Sequence, residues 1–220
     1  TRSPTVTGVQ TCALPISGGC PDHTIANGLM QYMLDTHQQF KIRFINRLDM
    51  DTSGVLAIGK NAYAQDDFVK QQKRGHVIKE YLALVNGIMT SEEGTIDAPI
   101  GRPANEPLRR GIVPVEKGGK ASVTHFHVLK RYPPVLPSQK KGYTLLALRL
   151  ETGRTHQIRV HLSSLGHPVT GDWLYGASSP LIDRQVLHAA SLTFPHPLTG
   201  QTFTVSAPLP ERRPDRKSVV

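Results

Sequence analysis

Cysteine, tryptophan and acidic side chains are all scarce in this chain, and the shortages narrow what it can be. Only two of its 220 residues are cysteine, Cys12 and Cys20. Both fall in an irregular N-terminal stretch without a CxxC spacing, so neither a disulfide framework nor a zinc site is expected there. No apolar run reaches the roughly 20 residues that a bilayer-spanning helix needs, and no charged-then-apolar leader opens the chain. A soluble intracellular protein of the cytoplasm, without membrane association, is therefore expected. Several chemical signatures are missing as well. GxGxxG and GxxxxGKS/T are absent, which leaves nucleotide cofactors without a motif, and HExxH and the GxSxG elbow are absent too. There is no internal repeat and no low-complexity tract.

Bases, by contrast, are plentiful. Lysine plus arginine outnumber acids 26 to 17, a formal net charge of +9, and such an excess favours a polyanionic partner. The charge is spread in separate pairs, Lys73-Arg74, Arg109-Arg110, Lys140-Lys141 and Arg212-Arg213, as on a surface that tracks a phosphate backbone. With 38% hydrophobic and 6% aromatic residues the chain can bury one substantial core.

The two ends differ from the rest. "TRSPTVTGVQTCALPI" (1–16) lacks amphipathic period and is rich in turn formers, and "DRKSVV" closes the chain abruptly; both resemble translated sequencing-adapter read-through. The expected division is a non-native or irregular segment at 1–23, a catalytic domain at 24–210 and an irregular, non-native tail at 211–220, with the native N-terminus missing. From Thr24, a plausible N-cap, Ile25, Leu29, Tyr32 and Met33 share one helical face. "GVLAIGK" (54–60) reads as a strand, and Asn61 can cap a helix through Phe68 that ends in basic Lys73-Arg74 and Gly75. Strands are expected at Tyr81–Val85, in "KASVTHFHVLKRY" and "YTLLALRLETG", and in "LHAASLTF" and "QTFTVSAPL". Residues 99–120, dense in Gly, Pro and charge, read as a long surface loop suited to touching a ligand. Thr155 is a candidate N-cap for a helix bearing Ile158, Leu162 and Leu165. Without strict βαβ alternation, this mixture predicts an α+β domain, a mixed and largely antiparallel sheet flanked by helices.

Two aspartates one residue apart, Asp49 and Asp51 in "FINRLDMDTSG", stand out in so basic a chain. A loop that caps its own backbone accounts for them structurally, and a carbohydrate-active hydrolase using both carboxylates is a chemical alternative. In the helix after Thr155, His156 and Arg159 lie one turn apart, and an exposed face with solvated charges is the plain account of them. Metal binding by His125 with His127, or by His156 with His161, lacks accompanying acids. Ser53 lies in a turn where its hydroxyl is expected to bond backbone.

Taken together, "NRLDMDTSG", "KEYLALV", "ETGRTHQIRVHLSSLGHPVTGDWLYG" and "LHAASLTFPHPLTG" resemble, in order, the four linked motifs of the RluA-like RNA pseudouridine synthases. The resemblance covers about Thr24 to Pro210, with Asn46 standing where the signature most often has histidine and the family's early strands missing ahead of Thr24. It implies an isomerase converting specific uridines of structured RNA to pseudouridine, ribosomal RNA first and transfer RNA second. It implies Asp49 as the nucleophile on a flipped-out uridine, Arg159 as the cation that keeps it ionised and oriented, and Tyr81 as the residue that stacks on uracil and handles a proton. Arg47 would fill the gap left by the flipped base, while Arg154 and His156 would contact phosphate; Asp51, Thr52 and Ser53 would shape the loop. No cofactor, no metal and no obligatory protein partner are implied, and a monomer is expected. An RNA-binding module that has lost catalysis is the competing reading.

Overall fold

The computed structural model describes residues 7–9, 24–134, 142–177, 179, 182 and 184–210. Cys12, Cys20 and the pairs Lys140-Lys141 and Arg212-Arg213 lie outside them. In chain order the elements are β1 (Thr7–Val9), α1 (Ile25–Asp35), β2 (Arg43–Phe44), β3 (Ser53–Leu56), β4 (Ile58–Gly59), α2 (Ala62–Lys73), β5 (Ile78–Asn86), β6 (Glu93–Asp97), β7 (Ile100–Gly101), β8 (Gly111–Ile112), β9 (Val123–Tyr132), β10 (Tyr143–Leu150), α3 (Gln157–Ser164), β11 (Leu187–Pro195) and β12 (Thr202–Ser206), with 3-10 turns at Val115–Lys117 and Trp173–Tyr175. Eight strands form one sheet in the order β1-β3-β11-β5-β10-β9-β6, and β12 also pairs with β11. All of its pairings are antiparallel except that of β3 with β11, which gives the α+β class that the mixed pattern predicts.

Local signals explain the first two helices. The Thr24 side chain accepts from the Asn27 N–H while the Asn27 side chain accepts from the Thr24 N–H, a reciprocal cap that satisfies two otherwise orphaned donors. Asn61 caps α2 in the simpler way, through the Ala64 N–H, and Phe68 is the residue that α2 buries. Strand alternation is equally direct. Leu146, Leu148 and Leu150 of β10 and Phe126 and Val128 of β9 turn to one face, where Ile158 and Leu162 of α3 cover them, as the two-residue period of a strand requires. Phe68 packs in a second cluster with Val55, Leu192 and Phe194.

Four sequence expectations are modified by long-range contacts. The strand expected over 54–60 breaks at Ala57, because its N–H donates to Asn46 Oδ1 at 2.7 Å and its carbonyl accepts from Ile45 N at 3.0 Å. Residues 99–120 are not an open loop: β7 pairs with β8, and Ile100 bridges to Lys120. Thr155 does not cap α3. The cap position is His156, in left-handed conformation with φ 57° and no side-chain cap bond; the Gln157 side chain instead accepts from the Arg154 N–H and donates to Val123 O. Finally, Thr7–Val9, inside the stretch expected to be irregular, pairs with β3 along its edge.

Helix α3 is buried over Gln157–Leu162, not merely on the Ile158–Leu162 side, because Ile100 and Tyr175 close over Val160 from the opposite side. Its His161 is fully enclosed, with Nδ1 against Thr124 Oγ1 at 2.9 Å and Nε2 donating to Ala98 O at 3.0 Å. Burial lowers its pKa below the ordinary 6.5 and outweighs the Ala98 bond, which favours the charged form. A histidine depressed in the folded state binds fewer protons there than when unfolded, so stability falls as pH drops through about 6.5. Denaturant midpoints are expected to be lower at pH 5 than at pH 7.5, and less so in His161→Gln; an equal pH dependence in the variant would exclude this origin.

Candidate active site

The turn carrying Asp49 is built by its backbone. The Thr52 N–H closes onto Asp49 O at 3.0 Å, with Asp51 between them at φ 67°; that left-handed position suits Gly, Asn or Asp. Gln185 donates to Met50 O at 2.7 Å and to Thr52 Oγ1 at 3.1 Å, and Arg184 donates to Asp51 O at 3.3 Å. Gly54 then lies so close to β11 that an added Cβ would sit 2.1 Å from Ala189 O, at φ +118°. Only glycine serves there. Ser53 bonds not backbone but the His188 ring, Oγ to Nδ1 at 2.9 Å, while His188 Nε2 donates to Ala207 O at 3.0 Å. Both side chains are buried, so this serine–histidine pair joins strands; neither side chain lines the cleft described below.

Asn46 completes the frame. Its amide donates to Val55 O at 3.1 Å and accepts from Ala57 N, pinning the segment before Asp49 to the end of β3. An amide supplies both a donor and an acceptor there, as one imidazole can.

Asp49 opens into a cleft of about 380 Å³ whose lining includes Arg47, Lys79, Tyr81, Arg154, His156 and Arg159, a size in the range of single small-ligand sites. Asp49, Arg47, Tyr81, Arg154, His156 and Arg159, the six site residues expected from the sequence, therefore meet at one place. Asp51 does not line it, so the two-carboxylate hydrolase arrangement is not formed. Asp49 Oδ2 lies 3.5 Å from Arg159 Nη1, and Oδ1 lies 3.9 Å from Arg47 Nη2. The two arginines differ in kind: the Arg159 side chain is 6% exposed and that of Arg47 65%. Arg47 reaches Thr155 Oγ1 through a long contact of 3.4 Å and stays at the rim.

Arg159 is buried because it has a second carboxylate. Asp172, fully enclosed, accepts from its Nε at 2.6 Å and its Nη2 at 2.9 Å and also accepts from the Tyr175 N–H. Burial works against the guanidinium charge, but the Asp172 bond and charge, with Asp49 adding, outweigh it and hold the Arg159 pKa above its ordinary value. The exposed charged face expected of this helix is thus a buried, two-sided ion pair. Tyr175 adds a flat surface, its ring 5.0 Å from the Arg159 guanidinium and 5.3 Å from that of Arg109, within cation–π range. Its hydroxyl accepts from Arg110 N at 2.9 Å and lies 3.0 Å from His156 Nδ1. Burial lowers the His156 pKa below 6.5, partly opposed by Asp49, so this ring is neutral at pH 7.

Tyr81, on β5, lines the cleft with Lys79 two residues earlier on the same face. Burial, with the Asp49 charge adding to it, pushes the Tyr81 phenol up to about 12; it is a proton-bearing hydroxyl at neutral pH. Burial lowers the Lys79 pKa. Asp172, Tyr175 and Lys79 were not singled out by sequence. A lone acid in "GDWLYG" and the lysine of "KEYLALV" were the available signals, and neither specifies a partner. The histidines weighed for metal have other partners: His125 contacts Thr95 and Glu151 through its two ring nitrogens, and His161 contacts Thr124 and Ala98.

A mixed sheet carrying a carboxylate, a buried arginine and a proton-bearing tyrosine in one cleft defines an α+β domain with a site for a small ligand. Residues 16–164 match the family model described as RNA pseudouridylate synthase, and the chain belongs to that family. Human RNA Pseudouridylate Synthase Domain Containing 1 superposes with a TM-score of 0.76 at 30% identity, over 94% of this chain and 80% of that one. "Uncharacterized RNA pseudouridine synthase YjbO" of Bacillus subtilis (strain 168) is 42% identical over 191 residues, 87% of this chain and 64% of its own. "Ribosomal large subunit pseudouridine synthase D" of Haemophilus ducreyi is 37% identical over 206 residues, 87% of this chain and 60% of its own. The chain thus spans less than two thirds of the length of these curated relatives. Among the described residues no helix is long and apolar enough to cross a membrane.

Two outcomes follow from this geometry. Asp172→Asn leaves the buried guanidinium without its main counter-charge and is expected to cost about 3–5 kcal/mol of stability, read from denaturant midpoints; replacing both partners (Arg159→Met with Asp172→Leu) should recover part of that loss, and a neutral single variant would contradict the pairing. In an ultraviolet titration of phenolate, Tyr81→Phe should remove a group that ionises near 12, well after an ordinary tyrosine; loss of a group ionising near 10 would overturn the assignment.

Proposed function

We propose that the protein isomerises specific uridines in structured RNA to pseudouridine, with Asp49 as the nucleophile. Membership of the family supports the reaction class, and a ribosomal relative favours ribosomal RNA over transfer RNA as substrate. The observation that carries the reading is Asp49 itself, a largely enclosed carboxylate that opens into the cleft between Arg159 and Tyr81.

The reaction must break the C1′–N1 bond of uridine, turn the base and join C5 to C1′, with the C5 hydrogen leaving to solvent and N1 gaining a proton. Atoms balance without any oxidant, cofactor or metal. Asp49 can attack C1′ and displace N1, to be displaced in turn by C5 of the turned base, or act in a glycal route in which the base leaves first, and Arg159, 3.5 Å away, orients the carboxylate. Tyr81, which retains its proton at neutral pH, can stack on uracil and mediate proton movement at the base. A cleft of about 380 Å³ holds one nucleoside and not a helix, so the uridine must leave its stack, at a cost of a few kcal/mol. Exposed Arg47 at the rim is suited to occupy the vacated gap. Arg154, whose Nε donates to Ala121 O while its terminal nitrogens stay available, and His156 are assigned to phosphate contacts. A monomer in the cytoplasm, acting without a protein partner, completes the reading.

The test uses ribosomal RNA carrying tritium at uridine C5. Wild type should release tritium to water, and Asp49→Asn, shown by circular dichroism to be folded, should release it at least about a thousandfold more slowly. Full activity in the variant would remove Asp49 from its role. Binding without release by folded wild type would favour an RNA-binding module instead.

A further inference from the structure

Beside the catalytic cleft lies a second one of about 360 Å³, between the β7–β8 hairpin and the approach to α3. Arg102, Arg110, Lys120 and Arg154 line it, no acidic residue does, and it shares Gly153 and Arg154 with the catalytic cleft. We propose that this second cleft is a phosphodiester subsite, which seats the backbone of the RNA strand next to the uridine held at Asp49. The inference rests on the RNA reading above and adds to it a particular place and ligand.

Charge accounting supports it. Where acids are at hand the described bases pair with them, as Arg159 does with Asp172, Arg131 with Glu92, Lys70 with Asp66 and Arg47 with Asp49, although other described bases, Lys130 and Arg149 among them, also form no ion pair with a described residue. None of the four cations around the second cleft forms an ion pair with a described residue. Four like charges around one concavity repel each other, and an anion seated among them relieves that repulsion. The walls are also fixed in advance. Arg154 is tethered through Nε to Ala121 O at 3.1 Å, which leaves its terminal nitrogens as donors. The backbone N–H of Arg110 is tied to the Tyr175 hydroxyl, and Ile100 is bridged to Lys120 by paired backbone bonds of 2.9 and 3.0 Å. Ile100, Thr155 and three glycines make up the rest of the lining, and Gly101, Gly118 and Gly153 have no side chains that would keep a phosphate away from backbone.

Continuity selects the polymer over a small anion. A uridine in the catalytic cleft carries a phosphate on each side, and the strand must leave past Gly153 and Arg154 on one of them. That path ends among Arg102, Arg110 and Lys120.

The test compares wild type with Arg102→Gln/Lys120→Gln and, as a control of equal type, Lys130→Gln at the opposite end of β9. Filter binding to a large-subunit ribosomal RNA transcript is measured from 50 to 300 mM KCl, with circular dichroism as the folding check. The double variant should lose about 0.7–0.9 from the slope of log affinity against log salt for each phosphate contact removed, and the control should keep the wild-type slope. In the tritium assay the double variant's KM should rise about five- to tenfold while kcat stays within about twofold. An unchanged slope, or an equal change in Lys130→Gln, overturns the proposal. Inorganic phosphate that stabilises wild type but not the double variant, with salt slopes equal, would assign the cleft to a free anion and also overturn it. Failure of wild type to release tritium would sink the isomerase reading alone, because the salt slope is measured without turnover.

Discussion

Arg159 is a cation inside the protein, and much of the site's arrangement follows from what is required to keep it there. An isolated buried guanidinium would be costly; two carboxylates and an aromatic face make it tolerable. Asp172 takes the bidentate position and Asp49 the longer one, at 3.5 Å. This ordering has a chemical consequence. If Asp49 made the short bidentate contact, its oxygens would be committed to the protein and less available to a ligand. With Asp172 absorbing most of the directional bonding, Arg159 can supply charge to Asp49 without tying up its lone pairs.

The same pair explains the tertiary organisation around it. Asp172 also caps the 3-10 turn that carries Tyr175, Tyr175 covers Arg159, and its hydroxyl takes the backbone of Arg110. The β7–β8 hairpin is thereby connected to the buried ion pair through one side chain. On the other side, the Asp49 turn hangs from β11 through Gln185, Arg184 and the close approach of Gly54 to Ala189. Asp49 and Arg159 belong to distant parts of the chain, and the sheet is what holds their separation constant.

Some of this was legible in the sequence and some was not, for a consistent reason. Features decided within a few residues could be read: the Thr24 and Asn61 caps, the alternation of β9 and β10, the helix over α3. The motifs also identified Asp49, Tyr81 and Arg159 as partners. Features decided across the fold could not. Thr155 has the chemistry of an N-cap, yet Gln157, held by Val123 and Thr124 over thirty positions away, takes that N-terminus and leaves His156 left-handed. Arg159 looked like a solvated charge because the ring that covers it, Tyr175, comes from a separate segment. Asp172 could be seen as an acid but not as its partner.

Differences in mobility follow from the two environments offered to arginine. Arg159 is locked by three nitrogens near carboxylate oxygens and by packing, so its position beside Asp49 is set before any ligand arrives. Among the described residues Arg47 has polar side-chain contacts only at 3.9 and 3.4 Å, and its side chain is largely exposed, so it can swing without breaking a strong interaction with them. The proposed isomerisation, in which a base leaves its stack and is then rearranged, would use both behaviours within one cleft: a cation that moves with the RNA at the rim, and a cation that does not move beside Asp49. Exchanging their environments would lose both, since a rigid rim arginine could not follow the strand and a mobile inner one would have to be ordered during each turnover.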